Sequence, residues 1–387
     1  TDKTIFVPKG TYYLSATLEL TNQNLIGEGM FQTKILSTDQ SLSAVILSLG
    51  RTCTVTDLTI GFKPGIVNGS EGAGQRVGIL TGNSLYSLQR GSQVSRVRIN
   101  NVGTAIFSKG GEDYASFSVE YDTLEISNFS FRGIDFASKV RTGNVFTNIY
   151  MSSSYKVDSL FCMRGEESEV SITQLNLEHT SAAAAMRLSG VRALSIDTLH
   201  IEGIILEDEN ASLIELNNTS GSIEALSVYY CGFDAPNQSI FTILDGIYDI
   251  NETWAQGNKP HTLSYLRIGT LHVKGLHDTN SKLHGPRPGL KELSGFNFFY
   301  RPQSAKGSFK VEIDNYVYFS FKDDYDIYDS MPGDPHNMIE FIRKGQIRTH
   351  GTTDERPTTR LCPYYSLYFD TDLNKLLLWT GSSWVYN

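Results

Sequence analysis

Along the first 280 residues, short runs in which apolar and polar residues alternate recur and align with one another at a fixed period. One set reads Leu124-Glu-Ile126-Ser, Ile149-Tyr-Met151-Ser, Leu175-Asn-Leu177-Glu178 and Leu199-His200-Ile201-Glu202, at spacings of 25, 26 and 24 residues. A second reads Ile106-Phe-Ser, Ile134-Asp-Phe136, Leu160-Phe-Cys162, Met186-Arg-Leu188 and Ile214-Glu-Leu216, at spacings of 28, 26, 26 and 28. A third strand precedes the first set: Val170-Ser-Ile172, Leu194-Ser-Ile196 and Ala225-Leu-Ser-Val228. Alternation turns every second side chain outward, and helical spacing is nearly absent.

Three strands per repeat of roughly 26 residues predict an all-β chain wound as a right-handed, single-stranded parallel β-helix. A lone coil leaves its backbone edges unpaired, so coils must stack, and stacking buries one continuous apolar column. The period fails near residue 285, where His284-Gly-Pro286-Arg-Pro288-Gly289 forms a breaker cluster. The expected division is therefore a β-helix over 1–285, a small β-rich domain over 286–345 and an aromatic C-terminal trimerisation or capping segment over 346–387. Within the last segment, Asp372-Leu-Asn374 and Gly381-Ser-Ser383 read as two tight turns between strands.

Composition changes the picture only in part. Charged residues make up 19% of the 387, and net charge is −9, so the surface leans on neutral polar groups. No Lys/Arg cluster marks a nucleic-acid face, and no apolar run reaches the length of a membrane span. Cys53, Cys162, Cys231 and Cys362 are far apart, which argues against a disulfide framework or a zinc site and for small apolar residues. No P-loop, dinucleotide fingerprint or metal-ligand spacing is present, and no cofactor is expected.

Two stretches carry a resemblance. Thr4-Ile-Phe-Val-Pro8-Lys-Gly10-Thr-Tyr12-Tyr and Leu25-Ile-Gly27-Glu-Gly29 resemble the opening coils of pectate-lyase-like β-helices in phage tailspikes and capsule depolymerases. Arg356-Pro357-Thr358, Tyr368-Phe369-Asp370-Thr371, Leu373-Asn-Lys375, Trp379-x-Gly381 and Trp384-Val385 are similar to a terminal motif of phage tail fibres and tailspikes, over about a tenth of the chain. The resemblance implies a virion-attached, extracellular homotrimer. Such a protein would bind a bacterial surface polysaccharide (capsule, exopolysaccharide or O-antigen) and join the phage tail or baseplate through a missing N-terminal region.

Candidate chemistry lies on the outward face of the first strand set. One expected column holds Glu125, Tyr150, Asn176, His200 and Tyr229, with His272 beyond; the next holds Ser127, Ser152, Glu178, Glu202 and Cys231, with Lys274 beyond. Coils about 4.8 Å apart would set Glu178 and Glu202 side by side. A glycosidase needs such a pair, one acid to protonate the leaving oxygen and one carboxylate as base or nucleophile. Glu178, Glu202, Asp197 and His200 are the catalytic candidates. His179, Tyr150, Asn176, Arg187, Glu215, Tyr229 and Trp254 are the substrate-binding ones. Two alternatives stay open: a polysaccharide lyase drawing on His200, Tyr229, Arg187 and Lys274, and a trimeric receptor-binding spike without catalysis. Outward carboxylates on an acidic solenoid are also, most often, solvated surface.

Overall fold

The structure, a computed structural model, describes residues 3–70, 75–81, 88–208, 211–217, 219–233, 238–243, 263–274, 277–278, 295–300, 308–319, 326–328, 342–343, 350–351, 353, 367–370, 372–373, 375–379 and 383–386. The described chain is all-β, wound as a parallel solenoid of about seven turns set about 27 residues apart. Strand Lys3–Val7 pairs with Gln23–Gly27, and Gln23–Gly27 with Thr54–Phe62. The ladder then climbs through Gln93–Phe117, Glu120–Thr142, Asn144–Ser152, Lys156–Glu178, Ser181–Glu202, Ser220–Tyr229 and Leu263–Lys274, always in parallel.

Inward positions repeat coil by coil. Val97, Leu124, Ile149, Leu175, Leu199, Leu226 and Leu271 stack in register, and Ile99, Ile126, Met151, Leu177, Ile201 and Val228 form the row beside them. All are buried. Midway along the solenoid, aromatic rings pack in the interior. Tyr121 stacks on Phe146 at 4.9 Å between centroids, while Phe136 and Phe161 meet Phe146 edge-on at 5.7 and 5.5 Å.

Many of the corners are turned at residues in the left-handed region. One corner stacks Asp57, Arg96, Thr123 and Asn148, and another stacks Asn101, Asn128, His179, Gly203 and Tyr230. A single residue at positive φ bends the chain between two short strands while keeping both in the ladder. Asn and Gly tolerate that conformation best, which accounts for several of the occupants.

Three details of the register differ from the expectation. Ala225 pairs with Thr198, and Leu226 with Leu199, so residues 225–228 belong to the first strand set; the third strand of that coil is 221–223. Tyr229 therefore lies opposite Glu202 and Ser227 opposite His200, while Cys231 is buried beyond the corner. In the second set Phe161, not Leu160, lies opposite Ile134 and Met186. Residues 160–163 are all buried, so their alternation is not visible as inside against outside.

The parallel ladder also runs past residue 285. Gly295–Tyr300 pairs with Ser239–Ile243, and Ser308–Phe319 with Leu263–Lys274, both in parallel. The Gly/Pro cluster at 284–289 is therefore placed between paired strands, and it lies outside the described residues. A separate four-stranded sheet holds His350–Gly351, Leu367–Asp370, Lys375–Trp379 and Trp384–Tyr386. Its last three strands are antiparallel, joined through the two stretches where turns are expected, between Asp370 and Lys375 and between Trp379 and Trp384; residues 380–382 lie outside the described residues. Buried Asp370 holds the first turn by accepting from the backbone N–H of Asp372 and Leu373 at 3.0 and 2.9 Å. Cys53, Cys162 and Cys231 are buried and free; Cys362 lies outside the described residues.

Candidate functional site

The ladder fixes two outward columns on the face formed by the first strand set. The first runs Thr59, Arg98, Glu125, Tyr150, Asn176, His200, Ser227, His272. The second runs Gly61, Asn100, Ser127, Ser152, Glu178, Glu202, Tyr229, with the backbone of Lys274 in register beyond. Glu178 and Glu202 are direct register partners on adjacent coils. Both are set one residue before a left-handed corner, at His179 and Gly203 respectively.

His200 joins the pair. Its Nε2 is 2.9 Å from Glu202 Oε2, a hydrogen bond with one proton between nitrogen and oxygen, and 3.9 Å from Glu178 Oε1. His179 Nε2 approaches Glu178 Oε2 from the other side, also at 3.9 Å. The Tyr150 hydroxyl is in hydrogen-bond contact with Glu178 and Ser152. Burial raises its pKa, the Ser152 hydroxyl opposes this, and the Glu178 carboxylate adds to it. Tyr229 stands edge-on to the His200 ring, 5.3 Å between centroids, and Tyr230 tilts against Tyr229. The Glu178 side chain keeps 19% of its exposure and that of Glu202 28%. They are thus half-withdrawn from solvent yet open to a ligand from outside.

Seven of the sequence-derived candidates are thus brought together: Glu178, Glu202, His200, His179, Tyr150, Tyr229 and Asn176. Asp197 is not beside the carboxylates. It is exposed at the corner between residues 196 and 198, five residues before Glu202, which is roughly 16 Å along an extended strand. Trp254 lies outside the described residues.

Arg187 and Glu215 sit on a different outward face, that of the second strand set, where the column reads Asp135, Cys162, Arg187, Glu215. They belong to a chain of alternating charges that the sequence reading missed. Glu215 Oε2 accepts from Arg187 Nε at 2.7 Å, and Arg187 also donates to Asp158. Asp158 accepts from Arg132 Nε at 2.6 Å, Arg132 donates to Asp135 at 2.6 Å, and Asp135 takes a further bond from Arg164 at 2.8 Å. Burial alone would raise the pKa of Asp158, but the guanidinium groups of Arg187 and Arg132 hold it below the ordinary carboxylate value. Glu215 shifts upward: its burial outweighs the opposing Arg187, and Asp158 and Asp208 add to the rise. With every member paired, this chain is a tie between coils. The signal that could have found it is Arg132 three residues before outward Asp135, in column with Arg187 and Glu215.

No family model matches the chain, and no curated protein matches it. Solved structures similar to it include the catalytic unit of a thermostable GH87 α-1,3-glucanase from Streptomyces thermodiastaticus strain HF3-3, at 11% identity and TM-score 0.47, over 82% of this chain and 57% of that one. Another is the catalytic domain of a GH87 α-1,3-glucanase in complex with tetrasaccharides, at 11% identity and TM-score 0.39, over 83% and 64%. A third is the A-module of the Azotobacter vinelandii mannuronan C-5 epimerase AlgE6, at 14% identity and TM-score 0.33, over 86% and 92%. The chain spans less than two thirds of the length of these glucanase domains. Likeness at these values assigns no chemistry to this chain.

Proposed function

We propose that the chain is a polysaccharide depolymerase that hydrolyses a glycosidic bond over Glu178 and Glu202. The observation that carries this reading is one imidazole nitrogen, His200 Nε2, in reach of both carboxylates on adjacent coils. The two contacted oxygens lie within about 7 Å of each other, a limit that admits the separation of a retaining pair (about 5–5.5 Å) and only the short end of that of an inverting pair (about 6.5–9.5 Å). Glu178, contacted by the Tyr150 hydroxyl, acts as the ionised nucleophile. Glu202, sharing a proton with His200, acts as the acid.

In the first step the Glu178 carboxylate attacks the anomeric carbon while Glu202 gives its proton to the departing glycosidic oxygen. The first bond forms as the glycosidic one breaks. In the second step Glu202 takes a proton from water, the resulting oxygen attacks the anomeric carbon, and the bond to Glu178 breaks. Anomeric configuration is retained, and no cofactor enters the balance. Tyr229 and Asn176 flank this centre as sugar contacts.

The same proposal extends to context. Resemblance of the opening coils and of the terminal motif to phage tailspikes supports a virion-borne, extracellular, homotrimeric spike. Its partner would be a bacterial surface polysaccharide, and it would join the phage tail through an N-terminal region. The antiparallel sheet around Asp370 is consistent with a folded terminal module. Mixing the protein with capsular polysaccharides, exopolysaccharides and O-antigens from a panel of bacteria tests it. New reducing ends without an unsaturated product support hydrolysis. Unsaturated ends would replace it with elimination, and binding without any new ends would leave a receptor-binding spike.

A further inference from the structure

Glu178 lies between two imidazoles, one facing each of its carboxylate oxygens. His200 Nε2 is 3.9 Å from Oε1, and His179 Nε2 is 3.9 Å from Oε2. The hydrolytic scheme gives His200 a task, sharing a proton with Glu202, and gives His179 none. The His179 side chain is 65% exposed, so packing against the interior does not explain where its ring points.

The backbone beneath that ring is fixed. The His179 N–H donates to the Glu202 carbonyl at 2.9 Å and the Gly203 N–H to the Tyr229 carbonyl at 2.9 Å, so both residues turn the same corner on adjacent coils. Buried Thr180 ties the corner to the coil below. Its hydroxyl donates to the Glu178 carbonyl at 2.8 Å and accepts from the Ser153 N–H at 2.8 Å.

Gly203 seats the ring. Its φ is +63°, in the left-handed region, yet Asn101, Asn128, His179 and Tyr230 carry side chains in the same corner column at φ between 46° and 56°. The turn alone therefore does not call for glycine; space does. A β-carbon on Gly203 would come 2.7 Å from His179 Nδ1 and 3.3 Å from its Cε1, closer than non-bonded atoms pack. The imidazole thus lies across the bare α-carbon of the next coil, and that seat turns Nε2 back toward Glu178.

We propose that His179, seated over Gly203, is a positioning residue for the nucleophile. With a proton on Nε2 it closes on Glu178 Oε2 when the saccharide is bound and holds the carboxylate in its attacking orientation. The proposal rests on the hydrolytic reading above and deepens it. The present gap is longer than a hydrogen bond, as catalytic contacts commonly are before substrate arrives, and an exposed ring closes it by a small side-chain rotation. In the second step the bond from Glu178 to the anomeric carbon breaks, and its electron pair returns to the carboxylate. The His179 N–H stabilises that returning charge and transfers no proton. His179 touches no sugar in this scheme, so its effect falls on turnover and not on substrate binding.

The test measures kcat and KM of the whole protein on a polysaccharide that the parent cleaves, with Glu178→Gln as the reference. The variants are His179→Ala, His179→Gln, Gly203→Ala and the double variant His179→Ala/Gly203→Ala. His179→Ala should lower kcat about ten-fold, the worth of one hydrogen bond to a charged group, at unchanged KM. His179→Gln, which carries an N–H donor at nearly the reach of Nε2, should recover most of the loss. Gly203→Ala should lose as much as His179→Ala, and the double variant no more than either, because the glycine acts through the ring. Urea unfolding shows that each variant is folded in the assay. Should Gly203→Ala fail to fold, the kcat loss in His179→Ala and its recovery in His179→Gln decide the matter. With Glu178→Gln inactive, the inference is overturned if His179→Ala turns over as the parent does, if its loss lies in KM alone, if His179→Gln recovers nothing, or if the double variant falls by the product of the two single losses. A parent that releases no ends, or a Glu178→Gln that still releases them, defeats the hydrolytic reading itself and this inference with it.

Discussion

His200 Nε2 lies 2.9 Å from Glu202 Oε2, on the same strand and two residues away, while the same nitrogen faces Glu178 on the coil below at 3.9 Å. Alternation within one strand supplies the first contact, and register between coils supplies the second. In the hydrolytic account His200 holds the Glu202 proton in place. Replacing it with Asn keeps a polar group but removes the reach. Turnover should fall by about 100-fold, the low end of what positioned proton transfer contributes, with little change in KM. Initial rates of reducing-end release on the cleaved polysaccharide check this.

The charge chain on the neighbouring face makes a prediction about stability. Arg187 lies between Asp158 and Glu215, and both acids keep less than a quarter of their side-chain exposure. Arg187→Met would leave half-buried Glu215 without its cation and Asp158 with Arg132 alone. The loss should be about 3 kcal/mol, at the lower end for breaking a buried pair because water still reaches this one. Urea unfolding of variant and parent measures it.

Acid should act through Asp158. Its folded pKa is depressed below the unfolded value of about 3.9, so its contribution is present above about pH 4 and is lost as pH falls through the folded value. Asp57 runs in the same sense, held down by its hydrogen bonds with Arg96. Glu215 runs oppositely: its raised pKa favours the fold in acid, and that contribution is lost as pH rises through the folded value. The parent should lose stability between about pH 5 and about pH 3, and Asp158→Asn should lose less over the same interval. Urea midpoints at the two pH values decide it.

The interior offers a substitution expected to improve the fold. Tyr121 is fully buried, its hydroxyl has no partner among the described residues, and burial pushes its pKa well above the ordinary phenol value. Tyr121→Phe keeps the ring stacked on Phe146 and removes the unsatisfied group. A gain on the order of 1 kcal/mol is expected in the same unfolding assay.

Legibility followed the physics of the repeat. Where inward Leu and Ile alternate with outward polar residues, as at 175–178 and 199–202, the sequence placed Glu178 against Glu202 correctly, because an in-register ladder leaves no freedom once the apolar positions are aligned. The next coil slipped because residues 221–223 carry a glycine where the other coils have an apolar residue, so Ala225 took the place of Gly221 and Tyr229 moved to the wrong column. Arg187 and Glu215 were read from the sequence as stacked on the next face, as the ladder has them; their tie to Asp158, Arg132 and Asp135 was not, because it depends on where the chain turns. That turn is set by single residues such as His179 in the left-handed region, a conformation that non-glycine residue types do not announce. Ser127 was in the expected column from the start; its burial, with the hydroxyl enclosed and unpartnered among the described residues, arises only from neighbouring coils.

The central claim is that Glu178 and Glu202 divide the work of one retaining hydrolysis. The most direct measurement takes a polysaccharide that the parent cleaves and follows reducing ends with Glu178→Gln and Glu202→Gln, reading the anomer first released by the parent by proton NMR. The account predicts loss of nearly all new ends in both variants and a parent product of unchanged anomeric configuration. Full activity in either variant, or a product of inverted configuration, would contradict it.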